Sequence, residues 1–185
     1  MTITRVSVDS AGNQANASSF DPSISADGRF VAFTSSASNL VPGDTNNNRD
    51  VFVRDLSTNT TTRVSVGSAG NQANEDSSSS SISADGRFVG FWSNASNIVP
   101  GDTNDSSDIF VRDLSTNTTT RVSVDSAGNQ GTGGSSDASI SADGRFVAFL
   151  SNASNLVPGD TNASRDIFVR DLSTNTTTRS EEPHV

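Results

Sequence analysis

The chain has 185 residues, a net charge of −9 and twelve basic residues, all of them arginine; it has no cysteine, lysine or tyrosine. Without cysteine there is no disulfide, thiol nucleophile or zinc–thiolate site. Without lysine, and with His184 as the one histidine, Ser-His-Asp triads, Ser-Lys dyads, Schiff bases and histidine metal cages are excluded as well.

What remains is carboxylate chemistry or oxygen ligation of a hard metal. The acidic balance argues against nucleic acid, which needs a basic footprint. No apolar run has the length of a membrane span, and the opening "MTITRVSV" carries neither a charged leader nor an apolar targeting core.

In chain order, residues 2–8 ("TITRVSV") read as a strand. A thin strand follows at Ser23-Ile24-Ser25, then the hairpin signal Asp27-Gly28 and a second strand over residues 29–35. After a loop, residues 50–55 ("DVFVRD") form a third strand. Ser57-Thr58-Asn59 is a turn in which Asn59 tolerates a left-handed backbone. Residues 61–66, rich in β-branched side chains, form a fourth strand, and the Gly/Ser/Asn/Gln-rich residues 67–79 a connecting loop. Helical periodicity is absent.

The pattern then repeats with a 58-residue period. "SISADGRFVAF" at Ser23 returns as "SISADGRFVGF" at Ser81 and again at Ser139; "NLVPGDTN" at Asn39 returns at Asn97, with Ile98, and at Asn155; "FVRDLSTNTTTR" closes all three units. Copies this close imply recent duplication or deliberate engineering. The units run approximately over residues 5–62, 63–120 and 121–179, leaving 180–185 as a non-repeat tail.

In the second strand Val31 and Phe33 face one way, Phe30 and Ala32 the other. A sheet apolar on both sides must be covered on both sides. Four-stranded sheets of this kind, tapering to serines at one edge, are what radial stacking about an axis requires. The expected fold is all-β: a propeller of four-stranded antiparallel blades, three per chain.

The stretch "ISADGRFVAF…DVFVRDL…TTRVSV" resembles the TolB-like β-propeller repeat over essentially all of residues 2–179. The resemblance implies the blade fold without implying an activity, since such blades serve binding, periplasmic and enzyme-accessory proteins. It suggests a periplasmic or extracellular parent.

Propellers have roughly four to eight blades, so three blades per chain point to closure by oligomerisation. The last repeat reads Ser180-Glu181-Glu182-Pro183 where earlier copies read Val-Ser-Val. The sequence therefore predicts that the third blade lacks a competent outer strand and that residues 2–8 of a second copy fill the place, pairing with residues 166–171. A homodimer gives six blades and is favoured over a homotrimer with nine.

The best site candidate is the loop after "VPG", where side-chain oxygens fall at alternate positions: Asp44, Asn46, Asn48 and Asp50; Asp102, Asn104, Ser106 and Asp108; Asp160, Asn162, Ser164 and Asp166. The spacing echoes the first half of an EF-hand loop and offers calcium a site, although Arg49, Ser107 and Arg165 stand where such a loop needs glycine. The alternative is that these side chains cap loop backbone through Asx turns.

Asp27, Arg54 and Asp55 read as structural, Arg63 and Arg121 as surface contacts on outer strands, and Trp92 as packing. The eight Asn-x-Ser/Thr triplets, such as the one at Asn16, matter only in a eukaryotic secretory route. No catalytic residues are predicted. The expected function is a non-enzymatic, self-assembling structural or binding scaffold, or a fragment or engineered chain without activity of its own. The alternatives are a carboxylate-based glycosidase or lyase and a calcium-stabilised propeller that binds carbohydrate or peptide.

Overall fold

Asp27-Gly28 and its two repeats set the first turn of each sheet. Gly28, Gly86 and Gly144 hold φ near +73°, and Asn59, Asn117 and Asn175 take φ +58° at the opposite turn, both as the turn chemistry requires. Between these turns the chain lays down strands in pairs. The computed structural model describes residues 3–180; within them are β1 (Ser19–Ile24), β2 (Phe30–Ser35), β3 (Asp50–Asp55) and β4 (Thr60–Arg63). The second set is β5 (Ser77–Ile82), β6 (Phe88–Ser93), β7 (Asp108–Asp113) and β8 (Thr118–Arg121), and the third β9 (Ser135–Ile140), β10 (Phe146–Ser151), β11 (Asp166–Asp171) and β12 (Thr176–Arg179).

Each set is an antiparallel meander in which consecutive strands pair, giving three separate four-stranded blades. Phe33 pairs with Phe52 across β2 and β3, and the same register places Phe91 on Phe110 and Phe149 on Phe168. The rings of these pairs stack at 5.8–5.9 Å. The all-β, three-blade propeller architecture read from the repeats is the architecture present.

Each blade has a leading face toward the lower-numbered blade and a trailing face toward the higher. Ala32, Val51 and Val53 on the first trailing face pack with Ile82, Val89, Phe91 and Phe110 on the second leading face. Ile109 and Val111 pack in the same way with Val147, Phe149 and Phe168. Trp92 joins this second junction half-buried, in the packing role expected of it. Burying a large aliphatic side chain this way contributes ~1.5–3 kcal/mol; the two junctions carry most of the core, and a third cluster of Phe33, Ala37, Leu40 and Phe52 covers part of the first leading face.

Two boundaries differ from the sequence reading. The first strand begins at Ser19 rather than Ser23, and in the later blades it absorbs the serine-rich residues from Ser77 and Ser135 onward. A bulge interrupts each of these strands, with Asp21, Ser79 and Asp137 at positive φ. Runs of serine carry no alternation to read, and these strands form the inner edge, where β1 approaches β5 and β5 approaches β9.

The fourth strand ends at Arg63, not Val66. Val64 N–H still donates to Val51 O, but Val66 N–H then turns back to Val64 O, and Val66 bridges Gln72. Val64-Ser65-Val66 is therefore the start of the crossing segment, not ladder.

That boundary corrects the expectation of a missing outer strand. β12 is present and pairs with β11 in the register of the other blades, from Asp171–Thr176 to Phe168–Arg179. Four residues suffice for this strand, and "TTTR" survives intact in the third copy. The outer edge of β11 is thus already occupied within the chain. Glu181–Val185 and Thr2 lie outside the described residues.

Candidate functional site: an acid socket at each blade junction

Two carboxylates meet at the outer start of each third strand. Asp50 opens β3, fully buried, and Asp44 comes from the preceding loop. Arg63 lies between them, 3.2 Å from Asp44 and 3.3 Å from Asp50. The second blade repeats this with Asp102 and Asp108 on Arg121 at 3.3 and 3.2 Å. The third has Asp160 at 3.1 Å from Arg179 but Asp166 at 3.7 Å, and a more exposed arginine.

Arg63 and Arg121 were expected at the surface. Their guanidinium groups are instead enclosed, because the carboxylates sit inward of the outer strand. Their Nε atoms are buried without a partner.

The crossing segment that leads to the next blade completes the site. Ser65 Oγ donates to Asp50 Oδ1 at 2.5 Å and accepts Val51 N–H at 3.1 Å. Ser123 does the same for Asp108 and Ile109 at the same distances. Gln130 Nε2 reaches both Asp102 Oδ1 (2.7 Å) and Asp108 Oδ2 (3.1 Å), and its Oε1 accepts Thr103 N–H. Gln72 Oε1 accepts Thr45 N–H. Burial pushes the Asp50 and Asp108 carboxyls above the usual range, opposed by the serine hydroxyl and the arginine. Asp44 is raised by burial and by the charge of Asp50.

The crossing segment is in turn tied to the following blade. Thr119 Oγ1 donates to Val66 O at 2.6 Å and Thr119 N–H to Ser68 Oγ at 2.9 Å; Thr177 repeats this on Val124 and Ser126. The residues before β1 adopt the same arrangement, with Thr61 on Val8 O and Ser10 Oγ, and Arg54 Nη1 on Asp9 O. The first two sockets therefore straddle junctions: acids and arginine from one blade, serine and glutamine from a segment held by the next.

The sites proposed from spacing are partly assembled. Asp44 and Asp50 come together, as do their repeats, but around a guanidinium. Asn46 turns its amide nitrogen to Asp50 Oδ2 (3.2 Å) and Ala73 O (3.0 Å), while its Oδ1 accepts Asn48 N–H in an Asx turn. Asn104 and Asn162 close the same turn on Ser106 and Ser164, and Asn48 Nδ2 donates to Asn74 O. Among the described residues no three His, Cys, Asp or Glu side chains are grouped so as to hold a metal ion. Ser65, Gln130 and the burial of Arg63 had no signal in one copy read alone; the identical spacing of Arg, Ser and Gln in successive copies was the available clue.

Asp55 takes a different role, as a bidentate partner of Arg29 (3.0 and 2.7 Å) that also caps Ser57 N–H. Asp27 caps its hairpin through Ser25 Oγ and Arg29 N–H, and Arg54 is buried on Asn59 O and Thr61 Oγ1. All three are structural, as read.

The outermost faces differ from the junctions. Ile82 on the second leading face is 8% exposed, whereas Ile24 on the first is 60% exposed. Val51 and Ile109 on the first two trailing faces are fully buried, whereas Ile167 on the third is 51% exposed, and Phe146 at the other end of the same strand pair is exposed as well.

No protein-family model and no curated protein matches the chain. Solved structures do. TolB from Acinetobacter baumannii aligns at 22% identity and a TM-score of 0.52, over 90% of this chain and 32% of that one. The β-propeller domain of the Trilobed protease from Pyrococcus furiosus, described as having an open velcro topology, aligns at 16% identity and a TM-score of 0.57, over 90% and 43%. Pyrococcus horikoshii acylaminoacyl peptidase aligns at 17% identity and a TM-score of 0.52, over 90% and 25%. The chain thus spans less than half the length of these neighbours. The fold is that of a TolB-like β-propeller repeat.

Proposed function

We propose that the chain is a non-enzymatic blade-repeat scaffold whose copies stack head to tail, third trailing face on first leading face, into a closed ring. The observation that carries this reading is that side chains buried at both internal junctions are exposed at the equivalent places on the two outer faces. Ile167 and Phe146 on one side, and Ile24 on the other, are the repeats of side chains that bury each other at both internal junctions.

The polar contacts of the junctions have the same unused halves. Inside the chain Ala26 N–H donates to Ala84 O and Ala84 N–H to Ala142 O; Ile82 and Ile140 N–H donate to Ser23 and Ser81 Oγ; Ser77 and Ser135 N–H donate to Arg49 and Ser107 O. The corresponding groups at the outer faces are Ala142 N–H, Ser139 Oγ and Arg165 O on the third blade, and Ala26 O, Ile24 N–H and Ser19 N–H on the first. Heterologous contacts of this kind generate rings when the rotation closes. Two copies make six blades and three make nine, and the dimer falls in the usual range.

Against catalysis stands the equivalence of the blades. A glycosidase-type acid–base pair needs two carboxyls in unlike environments, and here each pair shares one arginine. The TolB-like neighbours fit a scaffold. Sedimentation equilibrium of the wild type and of Ile167→Arg tests the reading: association is expected in the first and lost in the second, and a wild type that stays monomeric at high micromolar concentration would overturn it.

A further inference from the structure

At both internal junctions an arginine and a serine close on the acid pair of the preceding blade; the glutamine reaches both acids in the second socket, as Gln130, and the Thr45 N–H in the first, as Gln72. A third copy of the socket is present and open. Arg5, Ser7 and Gln14 are the repeats of Arg63, Ser65 and Gln72, and with Ala15, Ala17 and Ser19 they line a recess of about 220 Å³.

Its backbone is already in the closed form. Val8 N–H donates to Val6 O as Val66 does to Val64, Ala15 N–H donates to Ser7 O as Ala73 does to Ser65, and Val8 bridges Gln14 as Val66 bridges Gln72. Arg5 rests on Gln14 Oε1, the place that Thr45 and Thr103 N–H hold in the closed sockets.

The matching acid pair lies on the third blade. Of the three third strands, β3 and β7 hold Val64-Ser65 and Val122-Ser123. β11 begins with Asp166 and Ile167, and Glu181 stands in the sequence where the other copies have Ser65 and Ser123. Asp160 and Asp166 have Arg179, and the position of Ser65 is taken by Glu181.

We infer that Ser7 and Gln14 of one copy close over Asp160 and Asp166 of the next, so that the partner copy supplies the polar half of the third socket. This rests on the head-to-tail reading above and changes how the copies engage. The partner does not replace β12, whose Thr177 Oγ1 donates to Val124 O, a bond for which Ile3, at the equivalent position, has no hydroxyl. The partner's residues 6–8 instead continue from Arg179 along the path of Val64–Val66, displacing Ser180 from Ile167 O. Arg5 gives up Gln14 Oε1 to Thr161 N–H and swings outward.

The test compares the dissociation constants of the wild type, Ser7→Ala with Gln14→Ala, and Ile167→Arg by sedimentation. The side chains of Ser7 and Gln14 can be truncated without touching the backbone bonds that hold their segment. Because hydrogen bonds to charged groups are lost, the double variant is expected to associate about tenfold to a hundredfold more weakly. An affinity within twofold of wild type, with Ile167→Arg still blocking association, overturns the socket closure and leaves face stacking intact. A monomeric wild type overturns both. The same pair of truncations at Ser65 and Gln72 is the control: lower unfolding stability with unchanged affinity is expected, and an equal loss of affinity there would count against a junction-specific role.

Discussion

The ring of Phe30 lies against the backbone of Gly86 on the next blade, so close that a β-carbon at Gly86 would overlap it. Phe88 meets Gly144 in the same way, while the space over Gly28 is open. The aromatic knob and its glycine hole are thus matched twice within the chain, with Phe146 and Gly28 as the unmatched halves. All three glycines share a positive φ, so alanine at any of them costs ~1–2 kcal/mol of backbone strain. Gly86→Ala adds overpacking of about 1–3 kcal/mol. Urea unfolding of the two variants as monomers should therefore place Gly86→Ala clearly below Gly28→Ala; equal losses would contradict the knob-in-hole contact.

The isoleucines of the inner strands give a second contrast. Ile82 is buried at a junction and Ile24, its repeat, is not. Ile82→Ala is expected to cost about 2–5 kcal/mol, as truncations in packed cores do. Ile24→Ala should leave monomer stability nearly unchanged while weakening association. Chemical denaturation measures the first effect and sedimentation the second.

Acid should unfold the chain through its arginine-paired aspartates. Arg29 beside Asp55, Arg87 beside Asp113 and Arg145 beside Asp171 hold these carboxyls well below the usual range. A carboxyl with a depressed folded pKa binds fewer protons folded than unfolded, so its contribution is complete above an unfolded pKa of ~3.9 and fades as the pH falls below it. Asp55→Asn should flatten the loss of stability from about pH 4 downward and lower stability at neutral pH. An unaltered acid profile would remove Asp55 from this role.

Calcium is a separate test of the acid sockets. With a guanidinium between Asp44 and Asp50 and with Asn46 offering its nitrogen to Asp50, the loop oxygens are engaged by protein groups. Calorimetry in calcium and in chelator is expected to give the same melting temperature. A rise with calcium would show the alternate Asp and Asn positions gathering round a cation as their spacing suggests.

β3 was legible to the residue because each of its side chains is buried and the strand reads as an apolar run between two aspartates. β2 was legible within one residue for the same reason. The first strand was underread because its opening half, Ser19-Phe20-Asp21-Pro22, carries two poor strand formers at a bulge. Val64-Ser65-Val66 was overread because β-branched residues look like strand wherever they fall; their burial comes from the crossing segment. That error hid the socket. Val-Ser-Val is absent from the third copy although its outer strand, Thr176–Arg179, is present and paired. The candidate acids were found by spacing alone, whereas the arginine between them could be placed only once the outer strand was seen to close over it.

The molar mass in solution tests the central claim most directly. Sedimentation equilibrium over a hundredfold range of concentration should show the 19.2 kDa chain converting to one discrete closed species, a dimer of six blades in preference to a trimer of nine, with Ile167→Arg arrested as a monomer. A wild type of monomer mass throughout, or an open-ended series of ever larger species, would contradict the account.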